Sequence, residues 1–115
     1  MRTLNDYFIT AKIANISTAS STFVPIPDGG KVIKILTALQ AVIATANGAI
    51  TFEIGGTAIT GGAISVAYSG SAVGDVVTSE PTAANEVAEG GTIEIITDGA
   101  STNAAVLYIT IVIRR

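Results

Sequence analysis

In the closing stretch LYITIVIRR, Leu107, Ile109, Ile111 and Ile113 occupy every second position. Side chains of an extended chain point alternately to two faces, so these four share one side. Val106, Tyr108 and Val112 make the other side apolar as well. A strand apolar on both faces is either central in a covered sheet or half exposed against a partner subunit. Either outcome demands a layered sheet protein, with residues 104–113 as its last strand.

The same period of two recurs along the chain. Over residues 6–15, Tyr7, Ile9, Ala11 and Ile13 fall on one face and Phe8, Thr10 and Lys12 on the other. Ile50, Phe52 and Ile54 alternate with Thr51 and Glu53, and over residues 92–97 Ile93 and Ile95 point in while Glu94 points out. Residues 31–43 read as a long strand with Ile33, Ile35, Thr37, Leu39, Ala41 and Ile43 on one face and Lys34 and Gln40 on the other. Val32, Leu36 and Val42 interrupt that polar face. A helix over residues 38–46 competes, but β-branched Val42 and Ile43 and the missing N-cap make it the weaker alternative.

Pro25 has no N–H to donate, which assigns the short strand over residues 22–26 to a sheet rim. Residues 27–30, Pro-Asp-Gly-Gly, form a turn, Asn47-Gly48 is a hairpin signal, and Asp98-Gly99 turns the chain again. Residues 57–60 and 63–68, the latter with Ile64, Val66 and Tyr68 on one face, complete a meander whose corners are Gly55-Gly56 and Gly61-Gly62. Residues 69–90 are irregular, with an extended piece over 75–78 and a helical turn over 79–87. About eight strands with turns every ~8–12 residues predict an all-β, single-domain β-sandwich of jelly-roll type spanning residues 6–115, preceded by a flexible arm of residues 1–5.

Function is narrowed mainly by what the chain lacks. It has no His and no Cys, which removes the Ser-His-Asp and Cys-His nucleophile systems, disulfides and nearly every zinc site. Nine carboxylates remain, but with no Trp and only three Tyr and three Phe the aromatic platforms of a glycosidase are missing, so no enzymatic role is expected. In FEIGGTAITGGAISV, Gly56 and Gly61 have the spacing of a phosphate-binding loop, yet Gly62 and Ala63 stand where Lys and Ser or Thr are required. The glycines therefore read as turns, with close approach to another chain as a second use. Asp28 and Asp98 lie in turns without the ligand density of a calcium loop. No cofactor or metal is expected.

Charged residues are only 13% of the chain, about half the usual share, so much of the surface must be Ser, Thr, Ala and Gly. Six cations, of which only Arg114 and Arg115 are adjacent, make nucleic acid an unsuitable partner. The start MRTLNDYF has no apolar core of signal-peptide length and no apolar run approaches a membrane span, so synthesis in a cytoplasm without the usual export is expected, with no membrane partner. Arg114-Arg115 is either a solvated chain end or a salt-bridge donor to a neighbouring subunit, and Glu80, Glu86 and Glu89 are either a soluble loop or the acidic half of such a contact.

With FEIGGTAITGGAISV, SGSAVGDVVTSEPTAANEVAEGG and TIEIITDGASTNAAVLYITIVIRR assembled, the chain from about Asp6 onward resembles the small all-β head decoration, or cement, proteins encoded beside major capsid genes in tailed bacteriophages. The resemblance implies a virion protein on the capsid exterior. It would bind the major capsid protein of the mature head, commonly as a homotrimer, and stabilise the shell. Arg2, Thr3, Leu4 and Asn5 of the arm, Tyr108, and Arg114 and Arg115 are the candidate partner-binding residues. The rival reading is a receptor- or glycan-binding sandwich, a fibre or lectin-like module, with Tyr68 or Tyr108 and Asp75 as its thin supply of site residues.

Overall fold

A computed structural model describes residues 5–115. Ten strands follow in chain order: β1 (Asp6–Ile13), β2 (Ser20–Pro25), β3 (Gly30–Leu39), β4 (Gly48–Ile54), β5 (Thr57–Ala58), β6 (Ile64–Val66), β7 (Val76–Ser79), β8 (Glu86–Val87), β9 (Thr92–Thr97) and β10 (Leu107–Arg114). They form two five-stranded antiparallel sheets. The first has the order β1-β10-β3-β7 with β8 also on β3, and the second the order β2-β9-β4-β5 with β6 also on β4. The expected all-β, two-sheet sandwich is therefore present. Its extra strands, β5 and β8, are two residues each.

The core fills the space between the sheets with the inward residues of the period-two pattern. Ile13, Leu107, Ile109, Ile111 and Ile113 meet Ile50, Phe52, Ile93 and Ile95, all at most 2% exposed. Fully burying each such side chain stabilises by about 1.5–3 kcal/mol, which matters in a chain that has no cross-links. β10 is central in its sheet, paired with β1 on one side and β3 on the other, which accounts for its two apolar faces. β2 pairs with β9 alone among the strands, so Pro25 lies on a rim as its missing donor requires.

Five local expectations are corrected. Across β10, Val112 faces Lys34 and Ile113 faces Val32, leaving Ile33 without a counterpart. This bulge shifts the alternation by one, so Val32 rather than Ile33 enters the core. The strand also stops at Leu39, and residues 40–47 cross from the first sheet to the second. Asn47-Gly48 is therefore not a hairpin turn. Gly48 serves packing instead, because a Cβ there would stand 2.6 Å from the Cδ1 of fully buried Ile16.

Of the two glycine pairs only the first reverses the chain. Ile54 pairs with Thr57 across Gly55 and Gly56, whose φ angles of 60° and 81° suit a two-residue hairpin. β5 and β6 both run antiparallel to β4, so the chain keeps its direction past Gly61-Gly62 and only detours there. Within the detour Ile59 enters the core, Thr60 bridges to Ala83, and the Gly62 carbonyl accepts from Ser79 Oγ at 3.0 Å. The expected helical turn over residues 79–87 is absent. Ala84 has φ 53°, and Asn85, only 5% exposed, binds Val32 twice: its carbonyl accepts the Val32 N–H at 2.8 Å and its Nδ2 donates to the Val32 carbonyl at 2.6 Å.

A Gly48→Ala substitution is expected to cost about 1–3 kcal/mol by overpacking against Ile16. Gly56→Ala, which meets open space but keeps a positive φ, is expected to cost only about 1–2 kcal/mol. Urea unfolding of the two variants checks the order, and a Gly48→Ala protein as stable as wild type would contradict the packing argument.

Candidate interaction surfaces

The strand register lays the outer face of the first sheet out as a grid, since residues directly opposite in antiparallel strands share a face. One row runs Phe8, Val112, Lys34; the next Thr10, Thr110, Leu36, Thr78; the next Lys12, Tyr108, Ala38, Val76. Phe8 is 53% exposed, Tyr108 50% and Val76 62%, whereas Val112 is only 7% exposed beneath its neighbours. A shallow depression of about 540 Å³ opens here, lined by Phe8, Ile33, Lys34, Leu36, Glu80, Thr110, Val112 and Arg114. The bulge at Ile33 helps to build it by turning that side chain out of the core.

A second apolar surface lies at one end of the sandwich, where residues 68–75 pack against residues 39–47. Ser71 Oγ donates to the Ile43 carbonyl and accepts its N–H, the Leu39 carbonyl accepts from Gly74 N, and the Asn47 side-chain oxygen accepts from Tyr68 N. These bonds satisfy the backbone and leave Val42, Tyr68 and Val73 exposed.

Of the candidate partner-binding residues, Arg2, Thr3 and Leu4 lie outside the described residues, as does all of the proposed arm except Asn5. Asn5 is exposed, and its carbonyl accepts from the Arg115 N–H at 3.3 Å. Tyr108 stands on the outer face described above. Arg114 is bidentate on Asp6, directly across β1, with Nε–Oδ1 at 2.8 Å and Nη2–Oδ2 at 3.0 Å. These hydrogen bonds to Asp6 raise the Arg114 pKa above its ordinary value. Arg115 lies over the Tyr7 ring, 5.7 Å from its centroid, and its Nη1 is 2.7 Å from Asp28 Oδ2. Both arginines thus close the sandwich onto its own β1 and β2–β3 turn. Tyr108 and Arg114 share a face, while Arg115 turns toward the rim.

Sequence reasoning noted Val112 and Leu36 as apolar residues on the outer sides of their strands but did not bring them together with Phe8 into one patch. Its signal was Phe8, an apolar residue on the otherwise polar face of β1, beside Val112 on the apolar outer side of β10. The tyrosines and acid of a sugar site do not converge on the depression, since Tyr68, Tyr108 and Asp75 do not line it. Among the described residues no three His, Cys, Asp or Glu are grouped to hold a metal ion.

These features define a two-sheet antiparallel sandwich with an apolar patch on the outer face of one sheet. No family model matches the chain and no curated protein matches it. Among solved structures, a chain of the acidic stable capsid structure of Helicobacter pylori bacteriophage KHP30 is similar, with a TM-score of 0.62 over 96% of this chain and 87% of that one. Sequence identity is 12%, so the likeness is one of fold.

The Tyr7 hydroxyl donates to the Asp28 carbonyl, and burial, followed by the Asp28 carboxylate, pushes the phenol above its ordinary pKa of 10.0. The folded state then holds this proton more tightly than the unfolded one. Its contribution to stability is complete below the unfolded pKa and is lost as pH rises through the higher folded pKa. Wild type is expected to lose stability between about pH 9 and 11 more steeply than Tyr7→Phe, which has no proton to lose. Parallel slopes in urea titrations at those two pH values would contradict the assignment.

Proposed function

We propose that the chain is a structural protein of a phage head, a decoration protein that binds the outside of the mature capsid as a homotrimer and stabilises it. The observation that carries this is the fold shared over 96% of the chain with a phage capsid structure, in agreement with the resemblance of the sequence to cement proteins. The strand order supports the finer architecture. With the two-residue strands β5 and β8 set aside, the order β1-β10-β3-β7 over β2-β9-β4-β6 supports a jelly roll, two Greek keys wrapped together, and the single hydrophobic cluster supports reading residues 6–115 as one domain.

The surfaces fit the role. Exposed Val42, Tyr68 and Val73 at one end offer an apolar patch for self-association, and a surface poor in charge limits the desolvation cost of close contact. Residues 1–5 are proposed to order on the shell. Stabilisation follows from mass action: a ligand that binds only the expanded lattice lowers its free energy at every occupied site.

Purified protein is expected to co-sediment with expanded shells of the phage that encodes it, not with unexpanded ones, and to raise their thermal disruption temperature. Absence of binding, with shell stability unchanged, would sink the proposal. Separately, Val73→Asp is expected to shift the free protein from trimer to monomer in sedimentation velocity while circular dichroism stays unchanged. A monomeric wild type at high concentration would remove the trimer.

A further inference from the structure

The cations are unevenly placed. Lys31 lies 4.0 Å from Glu86, Arg114 is paired with Asp6 and Arg115 with Asp28, whereas Lys12 and Lys34 enter no ion pair among the described residues. Both stand on the outer face of the first sheet, Lys12 opposite Tyr108 and Lys34 opposite Val112, at separate corners of the apolar patch. The outer face of the second sheet has the reverse sign. There Glu94 sits directly across from Glu53, with Phe23 on its other side. Among the described residues, a chain of net charge −3 thus offers its unpaired lysines on this face, where Lys34 joins Phe8, Ile33, Leu36 and Val112 in lining a depression that Glu80 also borders.

We infer that the outer face of the first sheet docks an acidic protein surface that seats an apolar side chain between Phe8 and Leu36. The inference rests on the proposed shell-binding role, which makes that partner the expanded shell. A nucleic acid is a poorer match, because two lysines neutralise too few phosphates. A second copy fits less well also. Two such faces pressed together would bring four unpaired lysines into one interface. Stacking this face on the acidic face of another copy joins opposite sides of the sandwich, so it propagates as an open stack and does not close into a ring.

The test is co-sedimentation of the full chain with expanded shells over a salt series, alongside sedimentation velocity of the protein alone. A Lys12→Glu/Lys34→Glu double variant is expected to bind at least about tenfold more weakly than wild type at low salt, and wild-type binding is expected to weaken as salt rises. Leu36→Gln is expected to lose affinity while keeping the wild-type salt dependence. Glu94→Lys, on the opposite face, is expected to bind within about twofold of wild type. Circular dichroism confirms that each variant folds. Wild-type affinity in both the double variant and Leu36→Gln would overturn the inference and leave the shell-binding role intact. Loss of self-association in the double variant, with shell binding retained, would overturn it by assigning the face to a subunit contact. A wild type that binds no shell overturns the role itself, and the docking partner with it.

Discussion

The first sheet depends on the double-sided packing of β10. β1 is joined to the rest of that sheet through β10 alone, residue for residue from Asp6–Arg114 to Ile13–Leu107, and β3 closes the other side. The inner face of β10 cannot be polar, because Leu107, Ile109, Ile111 and Ile113 fill the middle of the core. Its outer face cannot be fully polar either. Val112 is walled in by Phe8 on one side and the bulged β3 on the other, and a charged side chain in that position would lose most of its hydration. The requirement that holds the sheet together therefore also produces its apolar outer patch.

The two ends of the described chain reinforce the same pairing. Asp6 opens β1 and Arg114 closes β10, so their bidentate contact clamps the register at the end of the ladder, where fraying is easiest. Arg115 extends the clamp to the β2–β3 turn through Asp28, and Tyr7 donates to the carbonyl of the same residue. The exposed Lys31–Glu86 pair contributes little by comparison, being long and largely open to solvent screening.

Where a strand is straight and one of its faces is buried, the sequence was a reliable guide. The alternations in Tyr7–Ile13, Ile50–Ile54, Thr92–Thr97 and Leu107–Ile113 all match the faces found, because burial repeats every two residues and each of these runs is uninterrupted. Legibility failed where one residue is added or a partner is remote. Nothing local marks Ile33 as the bulge, which is defined only by its register against β10. Asn47-Gly48 carries a hairpin signature, but the packing of Ile16 from a distant loop decides the use of Gly48. The helical pattern over residues 79–87 loses to Asn85, whose two bonds to Val32 span 53 positions. Arg114 and Arg115 could be recognised as a charged ending, while their partners, 108 and 87 positions away, could not. The patch on the first sheet combines β1, β3, β10 and Glu80 and exists only once the topology is known.

Low charge and a flat sheet face pose a specificity problem, since apolar contact is tolerant of partner and orientation. In the proposed docking, the grid on the first sheet would address it by position. Threonines 10, 110 and 78 occupy one row with Leu36, supplying hydroxyls that must find partners when covered, so a surface without matching donors and acceptors is penalised. Lys12 and Lys34 stand at the margin, where their long stems can follow the apolar floor while the ammonium groups stay at the wet rim. In the proposed docking, charge there would guide orientation without being fully desolvated, whereas full desolvation of an unpaired ammonium would cost several kcal/mol, roughly what a buried anchor contributes. A lysine at the centre of the grid, where Thr110 and Leu36 stand, would reverse that balance in such a contact.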